Sequence, residues 1–84
     1  MTDQEFDVLD ELYFVQPYEY LKDELEMADE ELLKTLSGLH QKGWLKCYSA
    51  MDQEVFEGDL NLAENYRSYF YLASKKGLMA HNGR

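Results

Sequence analysis

Apolar residues along this chain recur at two different periods, and the change of period divides it. From Gln4 to Phe14, Phe6, Leu9, Leu12 and Tyr13 form one stripe, with Asp3, Asp7, Asp10 and Glu11 on the other faces. That spacing predicts an amphipathic helix with Asp3 as its N-cap. Val15-Gln16-Pro17 ends it, because the residue before a proline is pushed out of helical conformation. Proline is well tolerated at the start of a helix, so a second helix is expected from Pro17 or Tyr18 to about Leu25. Its inward residues would be Leu21 and Leu25, with Tyr18 a further candidate. A third helix opens at Asp29, read as its N-cap, with Glu30 and Glu31 in its first turn, where negative charge is favoured. Leu32, Leu36 and Leu39 give its core stripe and Gly43 its stop. Gly38 lies inside it, at about 1 kcal/mol relative to alanine.

Beyond Gly43 the period shortens to two. Trp44 to Tyr48 and Tyr69 to Leu72 are rich in strand-forming residues. Alternation sets Leu45 and Cys47 on one face, with Phe70 and Leu72 on one face of the partner strand. The stretch between, about 49–68, is long for a hairpin loop and carries apolar residues of its own, such as Val55-Phe56 and Leu60. Ser74 caps a last short helix, Lys75 to about His81. One core is expected to hold Leu9, Leu21, Leu25, Leu36, Leu39 and Leu45.

The order helix, helix, turn, helix, strand, wing, strand resembles the winged helix-turn-helix superfamily of bacterial transcriptional regulators. Two segments carry the likeness. Leu36-Ser37-Gly38-Leu39-His40-Gln41-Lys42-Gly43-Trp44-Leu45 is similar to a recognition helix running through its glycine into the first wing strand. Tyr71-Leu72-Ala73-Ser74-Lys75-Lys76-Gly77 is similar to the second wing strand meeting the turn that opens the last helix. The resemblance implies a mainly α domain spanning residues 1–84: a three-helix core, a two-stranded wing extended at about 49–68, and a short C-terminal helix. It also implies a DNA-binding ancestry, although one fold serves many functions.

Charge changes that picture. Residues 1–31 hold twelve of the seventeen acids and one base, while the rest holds five acids and seven bases. The outward positions of the third helix read Glu30, Glu31, Lys34, Thr35, Gly38 and Gln41. Its leading edge is acidic where a DNA reader meets phosphates, and DNA binding depends on lysine and arginine neutralising those phosphates. Lys46 and Arg67, on or beside the wing, are the candidate backbone contacts for a DNA-binding alternative. The reading that follows is a non-catalytic interaction or regulatory module that binds protein, as a partner or as a homodimer.

Candidate chemistry is sparse. No HxxxH, CxxC or HExxH spacing is present, so no metal or cofactor is expected. Cys47 and His40 form the one conceivable nucleophile–base pair, and a buried structural cysteine is the plainer reading. Asp52, Glu54, Glu57 and Asp59 do not match a calcium loop. No signal segment or membrane-spanning run is read from the sequence, and a lone cysteine fits a reducing cytoplasm. Seven tyrosines are many for so short a chain. Tyr18, Tyr20, Tyr66 and Tyr69 are the candidates for outward faces, since tyrosine is enriched at interfaces. Self-association is expected through Phe6 or Tyr13 on the first helix, or through Leu78 or Met79 on the last. The last helix is favoured because two acidic N-terminal halves repel.

Overall fold

In a computed structural model, describing residues 1–83, the chain runs α1 (Asp3–Asp10), β1 (Gln16–Pro17), α2 (Tyr18–Leu25), α3 (Asp29–Gln41), β2 (Leu45–Ala50), β3 (Gln53–Val55), α4 (Leu62–Asn65), β4 (Phe70–Ala73) and α5 (Lys75–Asn82). The four strands form one antiparallel sheet in the order β1-β4-β2-β3. This corrects the expected class. A mainly α domain with a two-stranded wing is replaced by an α+β fold with five helices and a four-stranded antiparallel sheet.

The extra strands come from segments read as connections. Gln16 and Pro17 pair with Tyr71 and Phe70, so the chain leaves α1 extended and Pro17 takes an edge position that needs no donor. The Ala73 amide donates to the Leu12 carbonyl, which helps to end α1 at Asp10, short of the expected Phe14. Beyond β2, a turn at 51–52 folds Gln53–Val55 back onto Cys47, Tyr48 and Ala50, with an irregularity after Tyr48. Within 49–68, then, lie a strand and the one-turn helix α4.

Helix α1 is capped by Thr2, not Asp3. Thr2 and Glu5 form a capping box, the Thr2 side chain accepting from the Glu5 amide and Glu5 accepting from the Thr2 amide. Its buried residues are Glu5, Val8 and Leu9, and Leu12 beyond its end is buried too; of the expected stripe Leu9 and Leu12 are inside, while Phe6 is half-buried and Tyr13 exposed. Ala28, not Asp29, takes the N-cap of α3, and Asp29 is its first helical residue. Glu26, which closes α2, has φ +52°, a left-handed conformation unusual for a residue with a side chain.

Leu9, Leu21, Leu36, Leu39 and Leu45 share the core as expected, while Leu25 is half-buried at its edge. Val8, Leu12, Tyr18, Leu32, Cys47, Tyr69, Tyr71 and Ala73 complete it. The expected pairing of β2 with β4 holds, with Leu45 opposite Ala73 and Cys47 opposite Tyr71. The inner face of β4 is Tyr71 and Ala73, so Phe70 and Leu72 point the other way. Tyr69, read as outward, is corrected, and Tyr18, weighed for either side, falls on the inward one: both are buried. Their hydroxyls reach Asp29 and the Asn61 amide, which lets large polar-tipped rings go inside.

Candidate interaction surface

The α2–α3 face is built around Asp29. Its carboxylate accepts from the Tyr18 hydroxyl at 2.6 Å and pairs with Lys22 at 2.8 Å and Arg67 at 2.7 Å. The Lys22 and Tyr18 hydrogen bonds hold the Asp29 carboxyl below the usual carboxylate range. Burial, together with the same carboxylate, raises the Tyr18 phenol above its ordinary value. Arg67 also lies 5.5 Å over the Tyr66 ring and donates from Nε to the Tyr66 hydroxyl at 3.2 Å. This expected wing contact is therefore folded back onto the third helix.

Of the positions expected to face outward on α3, Glu30, Glu31, Lys34 and Gln41 are exposed. Thr35 is not: it is buried, and its hydroxyl donates to the Glu31 carbonyl at 2.8 Å. A threonine that returns its hydroxyl to the preceding turn needs no water. Gly38 is half-buried beside α1, where an added Cβ would sit 3.7 Å from Glu5 Oε2. There a cleft of about 410 Å³ opens between α1 and α3, lined by Thr2, Glu5, Lys34, Thr35 and Lys42 among others. Lys42 pairs with the buried Glu5 at 2.7 Å. Burial alone would push the Glu5 carboxyl up; the bonds from Lys42 and the Thr2 amide outweigh it and leave the group below its ordinary value. Both oxygens of that carboxylate are engaged within the chain, so it ties α1 to the end of α3 instead of offering an acid or base.

The expected self-association surfaces meet each other. Phe6 stacks on His81 with ring centroids 4.3 Å apart, and the Tyr13 hydroxyl lies 2.9 Å from His81 Nδ1 and donates to Asn82 Oδ1 at 2.8 Å. His81 Nε2 lies 3.3 Å from Asp10 Oδ1. Leu78 is partly buried against the core, and Met79 stands out at 67% exposure. Much of this surface thus seals α1 to α5.

A different surface was missed in the sequence. Register sets Pro17, Phe70, Tyr48 and Glu54 in one row across the sheet, with Leu72 and Lys46 side by side in the next. These side chains point away from the core, and Tyr48, Phe70 and Leu72 are half-buried without joining it. The signal was present in the unbroken apolar run Tyr69–Ala73, which marks a strand apolar on both faces.

Cys47 is 1% exposed, and burial together with Glu54 pushes its thiol up to about 12, the reverse of an activated nucleophile. Among the described residues no group of three or more His, Cys, Asp or Glu could hold a metal ion, and no helix is long and apolar enough to cross a membrane. No protein-family model, curated protein or solved structure matches the chain.

Proposed function

We propose that this chain is a small non-catalytic interaction module that works by contact with protein, a partner or a second copy of itself, and not by reading DNA sequence. The observation that carries this reading is the direction of three of its eight bases. Arg67 and Lys22 close on Asp29, and Lys42 closes on Glu5. Those cations serve internal acids, while Glu30 and Glu31 stand exposed at the start of α3. Duplex binding at cellular salt needs several free cations along one face. The buried, unreactive Cys47 supports a module without covalent chemistry and suits a reducing cytoplasm. The resemblance of residues 36–45 and 71–77 to transcriptional regulators supports a regulatory setting.

The alternative is a DNA-binding regulator using α3 and the segment 49–68 first read as a wing, favoured by the exposure of Lys34 and Gln41 on one helix. Selection from random duplexes at physiological salt separates the two. We expect no sequence bound more tightly than the micromolar range; a sharp consensus held at nanomolar affinity establishes the alternative.

A further inference from the structure

We propose that the outer face of the sheet is where a second copy of this chain docks, sheet face to sheet face. The proposal rests on the protein-contact reading above and names its partner and surface. Pro17, Phe70 and Tyr48 run side by side across the strands, with Leu72 beside them. These side chains face away from the core that α1, α2 and α3 form with the sheet. Aromatic side chains are the residues most enriched at the centres of interfaces.

Charge selects a second copy as the occupant. The formal net charge is −9 and most of the acid lies in residues 1–31, on the helical side of the domain. Two copies meeting through their helices would set those charges against each other. The sheet rows carry one base and one acid, Lys46 and Glu54. Packed sheets lie about 10 Å apart, and a helix layer adds about as much again on each side. The acidic helices of two copies then stand roughly three Debye lengths apart at physiological salt, where their repulsion is screened. A two-fold axis through the face brings Lys46 of one copy toward Glu54 of the other, and the same contact recurs on the other side of the axis. A face with one charge of each sign is complementary to itself. A basic protein would find more opposite charge on the helices, and an anionic surface would be repelled by them. The face is about four strands wide, at the small end of specific interfaces, so the association belongs in the micromolar range.

Sedimentation velocity from micromolar to millimolar chain tests this. We expect a concentration-dependent passage from monomer to dimer. Phe70→Glu should weaken it about 30-fold or more, as loss of a central aromatic does, while Met79→Glu on α5 leaves it unchanged. Far-UV circular dichroism checks that Phe70→Glu folds. Lys46→Glu and Glu54→Lys provide a gentler second arm. Each alone should weaken self-association, and an equimolar mixture of the two should restore it, because each then meets its opposite across the two-fold. A chain monomeric throughout the range overturns the proposal and leaves contact with a different protein intact. A dimer broken by Met79→Glu but not by Phe70→Glu also overturns it, and keeps self-association through α5.

Discussion

Gly77 and Gly38 both sit inside helices, and replacing each with alanine should move stability in opposite directions. On helix propensity alone both changes gain about 1 kcal/mol. At Gly77 an added Cβ would run into the Trp44 carbonyl oxygen and lie 3.0 Å from its carbon. Those atoms are backbone, so no rotamer change can clear them. The start of α5 would have to lift by about 1 Å to reach ordinary contact. That movement strains the bond from the Ser74 amide to the Trp44 carbonyl, 3.0 Å, and the one from the Ser74 hydroxyl to the Gly43 carbonyl, 2.6 Å. Each is worth about 1 kcal/mol net. Subtracting the propensity gain and adding the cost of overpacking leaves Gly77→Ala destabilised by about 1–3 kcal/mol. At Gly38 the nearest atom is Glu5 Oε2 at 3.7 Å, an ordinary contact, so the propensity gain survives and stability should rise by about 0.5–1 kcal/mol. For a domain of this size 1 kcal/mol shifts Tm by about 4–8 °C. Thermal and urea unfolding followed by circular dichroism reads both variants. Gly77→Ala melting at or above the parent would refute the close approach of α5 to Trp44.

Three further outcomes follow from the core and its charges. Leu36→Ala should cost about 2–5 kcal/mol, because Leu36 is fully buried in the core; a variant melting within a degree or two of the parent would remove it from the core. Glu5 has a folded-state pKa below its unfolded value, so its contribution is present above about pH 4.3 and is lost as pH falls through the folded value. Glu5→Gln should therefore be less stable than the parent at pH 7 and lose less on acidification, and parallel acid slopes in urea titrations at pH 7 and pH 3 would refute this. Cys47 should resist a thiol reagent at pH 8 while folded and react at once in denaturant, so rapid labelling of the native chain would contradict its burial.

The helices were legible because their signals are local. Leu32, Leu36 and Leu39 at helical spacing, with acids before them and Gly43 after, placed α3 to within a residue or two. The sheet was only half legible. Leu45–Ala50 and Phe70–Ala73 announce themselves by composition, whereas Gln16–Pro17 and Gln53–Val55 are too short and polar to do so. Both become strands because a longer strand offers them backbone partners, which is tertiary context and leaves no period in the sequence. The phase of α1 failed for a similar reason. Glu5 had no place in the apolar stripe, and its burial becomes tolerable only through Lys42, brought in by α3. Thr35 and Arg67 were read as surface contacts from position alone. The Glu31 carbonyl and Asp29 carboxylate that hold them depend on geometry that spacing does not reveal.

The seam between the two ends of the chain also governs the order of folding. Tyr13 bonds to His81 and Asn82 across 68 and 69 residues of sequence, and β1 closes on β4. Contacts of such separation are formed against the full entropy of the intervening loop, so they come late and slow the approach to the native state. During synthesis α1, α2 and α3 leave the ribosome long before β4, whose Tyr71 and Ala73 share one core with Leu9, Leu12 and Tyr18. A nascent chain halted before Phe70 would hold those side chains in an incomplete core, and would present to chaperones and proteases an apolar surface that the finished domain never shows.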